Sequence, residues 1–401
     1  MTVEIKKGRA KGEIKAPTSK SYAHRMLIGA ALAENKSRIS GIPYCDDVLA
    51  TAECLRALGA KIDIVGGVAE IVGFDPRCAK PVAPLFANES GSTLRFILPL
   101  CLLSGNPVTI EGKGRLMQRP MGAYEELCKE QGILYKTGDG NISVQGVLKN
   151  EDVRLVGNVT SQYVTGMLYA LPFLEGDRRI ILTTEIESKP YIDMTLQVMK
   201  KFGIDVCWEN SETLLSRGGC HYVGIEDEVE GDWSGAAFPI ALGLFGDVRV
   251  LGLNENSLQG DRVCVEYFKA LSEGTPTLSV ESCPDLAPIL FTVAAEKNGA
   301  VFTGTRRLRM KESDRCAVMA EELSKFGADI RIYDNHVEVI KTKLHTPEEI
   351  LLGHNDHRVV MSLSVLSTLY GGAIEGAEAI SKSYPDFFDD LKKLKIEFKV
   401  R

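Results

Sequence analysis

One pattern of apolar and polar residues recurs along the chain. Apolar residues lie three and four positions apart, as on an amphipathic helix, and are followed by an alternating run typical of a strand with one buried face. In CLRALGAKIDI (54–64) a glycine separates the two parts, at the left-handed position that ends many helices. Six segments have this form: 54–64, 126–136, 198–208, 267–280, 322–333 and 390–400. The pattern predicts a mixed α/β (α+β) fold.

The six segments are regularly spaced. The residues that match Leu55 follow at separations of 72, 72, 69, 55 and 68: Leu127, Met199, Phe268, Leu323 and Leu391. Helix-then-strand units are common in α/β proteins, but six at near-constant spacing favour a repeated subdomain. No single copy could bury the apolar face of its sheet alone, so the copies must pack together. The fourth and sixth copies lack the glycine. Grouped three and three, the six copies predict two similar domains that are joined near residues 226–235.

Composition narrows the class of protein. With 401 residues, 44% of them hydrophobic, the chain can bury a large core. A net charge of -7 argues against a nucleic-acid or anionic membrane surface, so local cationic clusters stand out. The first residues are charged, unlike a signal peptide, and the longest apolar run is too short to span a bilayer. Ten cysteines without a CxxC pair indicate buried, reduced thiols. We expect a cytoplasmic protein.

Cations stand at a predicted helix start in SKSYAHRMLIGAALA (19–33). Lys20 lies in the first turn and Arg25 one turn later, on the face of Ser21. The unpaired N–H groups there already carry partial positive charge, so cations are disfavoured. A bound phosphate or carboxylate would compensate both the cations and the partial positive charge of the helix end. The alternative is that both side chains are exposed to solvent.

Similar helix starts follow in the first half of the chain. Gly91 precedes hydroxyl residues in ESGSTLRFILPL (89–100), and Arg115 and Arg119 lie in a glycine-rich loop that could clamp a phosphate. The alternatives are an ordinary N-cap and a solvated loop. Thr160, Ser161 and Gln162 offer neutral donors to a polar ligand, and Ser188 lies at a proline turn.

The second half repeats this arrangement with carboxylates added. Asp285 precedes an apolar stretch, where it either caps a helix or acts as a base; capping is favoured. In RMKESDRCAVM (309–319), Lys311 and Arg315 are four apart, on one helix face; the alternative to a site is a solvated network in which Glu312 and Asp314 compensate the two cations. Arg358 follows in HNDHR and Lys382 in SKSYPD. Together these segments suggest helix starts of two domains around an anionic ligand pair.

These motifs carry a resemblance to a known family. SKSYAHR, SGSTLR, QRPMG, TSQ, SKPYID, KESDR, NDHR and SKSYPD occur in the order seen in the 3-phosphoshikimate 1-carboxyvinyltransferase (EPSP synthase) family. The resemblance implies two domains of three βαβαββ units each, about a pseudo-threefold axis, with the active site in the interdomain cleft. It also implies a discontinuous domain of 1–18 plus 230–401 and an inserted domain of 19–229.

The implied activity is transfer of the enolpyruvyl group of phosphoenolpyruvate to the 5-hydroxyl of shikimate 3-phosphate by addition and elimination, with release of phosphate. This is a step of the shikimate pathway, towards chorismate and the aromatic amino acids. The partners would be these two small molecules, without nucleic acid, membrane, metal or organic cofactor. The protein would act as a monomer.

The resemblance also assigns residues. Asp285 would accept the hydroxyl proton, Glu312 would protonate the methylene carbon, and Lys20 would assist both proton transfer and phosphate departure. The residues that would bind shikimate 3-phosphate are Lys20, Ser21, Arg25, Thr160, Ser161, Gln162, Ser188, Asp285 and Lys311. Those that would bind phosphoenolpyruvate are Lys20, Gly91, Arg119, Arg315, Arg358 and Lys382.

Two positions depart from the family pattern. Glu89 stands where relatives usually have asparagine, and it should weaken anion binding unless Arg95 or another cation pairs with it. Arg307 is also atypical. Gly91 keeps the small residue at which glyphosate and phosphoenolpyruvate share space in this family, so we expect inhibition by glyphosate.

Two other functions are weighed against this one. UDP-N-acetylglucosamine 1-carboxyvinyltransferases share the fold, but they have Lys-Asn in place of Lys20-Ser21 and usually a cysteine in the loop matching 112–119, which has none here. A ring-shaped clamp on nucleic acid would spread its cations over many helices and need no acids among them. Asp285 and Glu312 beside clustered cations argue against the clamp.

Overall fold

The computed structural model describes residues 1–401. The chain divides into two compact units. Unit 1 comprises Met1–Ser19 and Gly231–Arg401, and unit 2 comprises Lys20–Glu230. Each unit has its own core of buried apolar side chains. No helix combines the length and the apolar character that a membrane crossing needs.

The helices are numbered in chain order. They are α1 (Lys20–Leu32), α2 (Asp46–Leu58), α3 (Gly91–Cys101), α4 (Gly122–Gln131), α5 (Ser161–Ala170), α6 (Lys189–Lys201), α7 (Trp233–Gly243), α8 (Cys264–Glu273), α9 (Ala287–Glu296), α10 (Arg315–Ser324), α11 (His357–Tyr370) and α12 (Phe387–Lys393). Short 3-10 turns lie between several of them, including Arg306–Met310 and Ala377–Lys382.

The strands are numbered in the same way. They are β1 (Thr2–Ile5), β2 (Lys11–Lys15), β3 (Ser37–Ser40), β4 (Lys61–Val65), β5 (Val68–Val72), β6 (Leu85–Phe86), β7 (Val108–Glu111), β8 (Leu134–Gly138), β9 (Asn141–Gln145), β10 (Val153–Leu155), β11 (Arg178–Leu182), β12 (Val206–Trp208), β13 (Thr213–Ser216), β14 (Glu226–Glu228), β15 (Asp247–Leu251), β16 (Thr277–Ser279), β17 (Ala300–Thr303), β18 (Asp329–Ile332), β19 (His336–Ile340), β20 (Leu351–Leu352), β21 (Gly372–Glu375) and β22 (Phe398–Val400).

Unit 2 contains one sheet design three times. Its four-stranded sheets have the orders β14-β3-β5-β4, β6-β7-β9-β8 and β10-β11-β13-β12. In each sheet the first pair is parallel, and the last two strands form an antiparallel hairpin beside it. With the helices between the strands, this is the βαβαββ unit that the resemblance implies.

Unit 1 repeats these strand directions twice, in the orders β16-β17-β19-β18 and β20-β21-β1-β22, but the last antiparallel pair of the second sheet, β1 and β22, is not a hairpin. Its third sheet has only the parallel pair β2 and β15. The predicted α/β class and its repeated units are confirmed. The fourth repeat runs from α8 into β16, as predicted, but β16 forms no hairpin and pairs in parallel with β17 as the first strand of the next sheet. The missing hairpin accounts for the short separation of 55.

Residues with positive φ follow five of the six repeat helices, as the glycine pattern predicts; the exception is Gly274 after α8, which is extended. Gly132 follows α4 with φ 73°, a conformation that glycine adopts without steric cost. In the sixth repeat, which lacks the glycine, Lys395 takes this position after α12 with φ 68°. The ten cysteines form no disulfides, and seven of them are buried, as expected from their scatter; Cys78 and Cys207 are exposed and Cys220 is half-buried.

Candidate active site

Lys20 is the first residue of α1, and a carboxylate compensates its charge there. Its Nζ lies 3.0 Å from Oδ2 of Asp47, in the first turn of α2. Both side chains are largely buried, with 13% and 11% of their surface exposed. The alternative of a solvent-exposed lysine is therefore wrong.

Arg25 is buried and held by neutral acceptors. Its guanidinium donates to the carbonyl of Ser21 at 2.7 Å, to Thr195 Oγ1 at 2.9 Å and to the carbonyl of Tyr191 at 2.9 Å. Ser21 and Arg25 thus share a helix face, as predicted. Burial lowers the pKa of Arg25 from its ordinary value, because no carboxylate offsets the lost hydration. Tyr191 lies in the first turn of α6. Ser188 directly precedes this helix; it is buried and has φ 58°.

Two arginines converge on the start of α3 at Gly91. A Cβ atom on Gly91 would lie 2.7 Å from a terminal nitrogen of Arg119 and 2.8 Å from one of Arg95. Arg95 donates to Gln162 Oε1 and to the carbonyl of Pro120, both at 2.8 Å. Burial and the nearby Arg119 lower the pKa of Arg95 to about 10. The second loop cation, Arg115, is exposed.

The start of α5 contacts the same place. Thr160 caps the helix by accepting from the backbone N–H of Gln162 at 3.3 Å, and Ser161 is its buried first residue. Nε2 of Gln162 donates to Ser92 Oγ at 3.0 Å. The structure therefore brings the predicted residues of α3, α5 and the loop before α4 together.

A buried chain of side-chain hydrogen bonds connects α1, α2 and α3. His24 Nδ1 contacts Thr51 Oγ1 at 2.7 Å, and Thr51 Oγ1 contacts Thr93 Oγ1 at 2.7 Å. Thr93 Oγ1 donates to Ser90 Oγ at 2.8 Å, and Ser90 caps α3 directly before Gly91. Burial, then the charges of Lys20 and Arg25, lower the pKa of His24, so its imidazole is neutral. The roles of His24 and Thr51 were not predictable from the sequence, because both residues lie in largely apolar helical segments.

In unit 1, Arg315 organises three carboxylates. It donates to Asp285 Oδ1 at 2.8 Å, to Glu312 Oε2 at 2.8 Å and to Asp356 Oδ2 at 2.9 Å. Burial alone would lower the pKa of Arg315, but Asp356, Glu312 and Asp285 raise it well above its ordinary value. The guanidinium is therefore always protonated.

Asp285 was expected to cap the next helix, and this expectation is wrong. The residue at the N-cap of α9 is Leu286, and no side chain caps that helix. Asp285 instead contacts Arg315, Arg358 Nη2 at 3.0 Å and Lys311 Nζ at 3.4 Å. Burial alone would raise the pKa of Asp285, but Arg358, Lys311 and Arg315 together hold it well below its ordinary value.

Lys311 and Arg315 were predicted to share a helix face, and this is also wrong. Arg315 is the first residue of α10, whereas Lys311 lies just after the 3-10 turn Arg306–Met310. The two side chains meet at Asp285 rather than along a helix. Burial lowers the pKa of Lys311 to about 8, and Asp285 only partly opposes this effect.

The remaining predicted residues of unit 1 lie around the start of α11. Arg358 Nη1 donates to Ser234 Oγ at 2.7 Å, and Asp356 caps the helix. Lys382 is buried, and its Nζ donates to the carbonyl of Asn355 at 2.7 Å. The buried Arg307 donates to the carbonyl of Glu281 at 2.7 Å.

Glu89 faces the glycine-rich loop rather than Arg95. A Cβ atom on Gly114 would lie 2.8 Å from Cδ of Glu89. A cavity of about 340 Å³ in unit 2 lies away from all these residues, at the C-terminal end of α1, and it is lined by Leu32, Phe74, Arg77, Phe173 and Tyr222 among others. None of the predicted site residues lines it.

Comparison with known proteins decides the family. The sequence model described as EPSP synthase (3-phosphoshikimate 1-carboxyvinyltransferase) matches residues 5–391. The chain belongs to the EPSP synthase family. Relatives named 3-phosphoshikimate 1-carboxyvinyltransferase include one from Clostridium botulinum (strain Alaska E43 / Type E3), which is 39% identical, and one from Clostridium kluyveri, which is 36% identical. Each alignment covers 98% of this chain and 97% of the relative.

Solved structures agree with this membership at the level of the fold. The EPSP synthase from Acinetobacter baumannii superposes with a TM-score of 0.80 at 24% identity, over 100% of both chains. The enolpyruvyl transferase NikO from Streptomyces tendae gives 0.76 at 16% identity, over 99% of this chain and 98% of its own. Proteins whose sequences differ from this chain at most positions thus have the same fold.

Proposed function

We propose that the protein transfers the enolpyruvyl group of phosphoenolpyruvate to the 5-hydroxyl of shikimate 3-phosphate. The hydroxyl loses its proton and its oxygen adds to C2 of the enol while C3 gains a proton. The adduct then loses a proton from C3 as the bond from C2 to the phosphate oxygen breaks, which restores the double bond and releases inorganic phosphate. Family membership over residues 5–391 supports the reaction. The observation that carries it is the cluster in which Lys311, Arg315 and Arg358 surround the carboxylate of Asp285.

Asp285 would act as the general base. Its low pKa keeps it ionised, but it also makes the carboxylate a weak base, so its contribution depends on its position beside the hydroxyl. Glu312 would have to carry a proton to donate it to C3, and it would take a proton back from C3 in the elimination; its contact with Arg315 fixes its carboxyl group. Lys20 would assist proton transfer and phosphate departure.

The substrates are multiply charged anions, and the predicted binding residues are cations and neutral donors. Lys20, Ser21, Arg25, Thr160, Ser161, Gln162, Ser188, Asp285 and Lys311 would bind shikimate 3-phosphate. Lys20, Gly91, Arg119, Arg315, Arg358 and Lys382 would bind phosphoenolpyruvate. The neutral partners around Arg25 support this assignment, because a ligand anion would offset the cost of burying its charge.

No metal or organic cofactor is required, because phosphoenolpyruvate is itself the activated donor. We expect a monomer that works in the cytoplasm. The expected inhibition by glyphosate, with Gly91 as the shared contact, belongs to the same proposal. Glu89 does not pair with Arg95, so the effect of this carboxylate on anion binding is to be measured with Glu89→Asn.

Phosphate release tests the reaction directly. The protein is incubated with phosphoenolpyruvate and either shikimate 3-phosphate or UDP-N-acetylglucosamine. We expect release only with shikimate 3-phosphate; activity only with the sugar nucleotide would reject the assignment. Asp285→Ala should still bind shikimate 3-phosphate but turn over very slowly, and near-normal turnover would remove Asp285 from its role.

A further inference from the structure

Glu322 lies near the C-terminal end of α10, the helix that begins at Arg315. The sequence predicted no role for it. Its carboxylate is fully buried. It accepts from Lys325 Nζ at 2.9 Å, from the backbone N–H of Leu352 at 2.8 Å, and contacts His354 Nε2 at 2.9 Å. The last two contacts fasten the segment before α11 to α10.

The segment that Glu322 holds has an unusual backbone. His354 and Asn355 are consecutive non-glycine residues with φ 47° and 54°. L residues rarely adopt this left-handed conformation, and it persists only where the surroundings impose it. The contact with Glu322 on one side and the backbone bond from Gly353 N–H to the carbonyl of Glu375 at 2.8 Å on the other supply that constraint.

This strained segment supports several residues proposed to bind phosphoenolpyruvate. The carbonyl of Asn355 accepts from Lys382, and the carboxylate of Asp356 contacts Arg315 and caps the helix that carries Arg358. A change in the backbone at His354 and Asn355 would therefore move the partners of three cations together.

We propose that Glu322 and His354 are positioning residues for phosphoenolpyruvate: their contact holds 353–356 in the conformation that aims Lys382, Arg315 and Arg358. The inference rests on the proposed function. It assigns no contact between substrate and either residue.

A divalent metal site is the other interpretation of this cluster, since Glu321 lies within reach of the same two side chains. The contacts argue against it. Both oxygens of Glu322 already accept from the ammonium of Lys325, at 3.0 and 2.9 Å, and Oε2 also accepts from Leu352 N–H. A cation there would have to displace a fixed positive charge.

Steady-state kinetics of three variants test the inference. His354→Leu removes the contact with Glu322, and we expect the KM for phosphoenolpyruvate to rise at least about tenfold while the KM for shikimate 3-phosphate changes by less than about twofold. His354→Gln keeps a donor and should restore the KM to within about threefold of wild type. Asn355→Gly keeps the carbonyl but relaxes the backbone; it should unfold at the same or a higher temperature and still bind phosphoenolpyruvate more weakly.

The matched control is Lys395→Gly. Lys395 is another non-glycine residue with positive φ in unit 1, but its backbone N–H bonds only to its own helix, at Lys392. We expect unchanged kinetics. The inference is overturned if His354→Leu leaves the KM for phosphoenolpyruvate unchanged, or raises both KM values equally while lowering the unfolding temperature. A wild type that releases no phosphate would instead overturn the proposed function.

Discussion

Arg315 and Asp356 form an ion pair with almost no contact with water. Nε of the arginine lies 2.9 Å from Oδ2 of the aspartate, and the two side chains are 1% and 0% exposed. Because a guanidinium has five N–H donors in a fixed plane, the same group also reaches Asp285 and Glu312. The proposed base and the proposed acid are thus held by one side chain.

Arg315→Lys should be severely damaging, since three different guanidinium nitrogens contact the three carboxylates and a single ammonium nitrogen cannot take the place of all three. We expect the free energy of unfolding to fall by about 3–5 kcal/mol, as when one partner of a buried pair is lost. Turnover should fall about 100-fold or more. Urea unfolding and phosphate release measure the two effects. Arg306→Lys is the control: its pair with Asp334 is exposed, and a change within about 0.5 kcal/mol is expected. Equal effects of the two variants would contradict the role of Arg315.

Lys311 should produce an alkaline limit on substrate capture. With a pKa of about 8 it loses its charge above that pH, and kcat/KM for shikimate 3-phosphate should then fall about tenfold per pH unit. Lys311→Arg keeps the charge and should remove this break in the pH profile. An unchanged break would assign it to another group.

The same shift predicts how stability depends on pH. Between about pH 8 and the ordinary lysine value of 10.5, the unfolded chain binds more protons at Lys311 than the folded chain does. The free energy of unfolding contributed by Lys311 therefore rises with pH across that window. Comparing wild type with Lys311→Met by urea unfolding at pH 8 and pH 10 should show this rise only in the wild type.

Gly91→Ala should weaken phosphoenolpyruvate binding. The added methyl group would lie within 3 Å of the guanidinium groups of Arg119 and Arg95, so those side chains must move. We expect the KM for phosphoenolpyruvate to rise about tenfold, which corresponds to about 1.4 kcal/mol. Gly122→Ala, where a Cβ atom meets nothing within 4 Å, is the matched control in the same unit and should leave the KM unchanged.

Thr51→Val should disconnect the hydrogen-bonded chain between α1 and α3. It leaves Nδ1 of His24 without its buried partner and removes one of the contacts of Thr93, at a cost of about 1–3 kcal/mol in the free energy of unfolding. Because Ser90 at the end of this chain precedes Gly91, we also expect a higher KM for phosphoenolpyruvate. Thr109→Val breaks a comparable hydroxyl pair, with Ser143, between two strands. Kinetic effects of the same size in both variants would argue against a specific role for Thr51.

The repeat was predictable from the sequence because its signals are local. A glycine after an amphipathic helix and an alternating run after the glycine depend on residues a few positions apart, and Gly132 shows the expected conformation. The partners of Asp285 are not local: Arg315 and Arg358 lie 30 and 73 positions away. Helix capping is a short-range rule, so it misassigned a carboxylate whose surroundings are built by the tertiary fold.

The missing hairpin of the fourth repeat was visible only as an irregular spacing. Two strands fewer shorten the interval between Phe268 and Leu323, but a short interval alone does not say which element is absent. The contact between His24 and Thr51 was not predictable for a related reason. A polar residue within an apolar helix gives no sign of its partner when that partner lies on another helix.

Strand β1 pairs with β21 and β22, so that Thr2 meets Glu375 and Val3 meets Val400. On a ribosome β1 is made long before β21 and β22, so it cannot pair until both of these strands have emerged. Unit 2, by contrast, is one uninterrupted stretch and has all its strands once Glu228 has left the exit tunnel. Unit 2 should therefore be able to fold on the ribosome while β1 still lacks both of its partner strands.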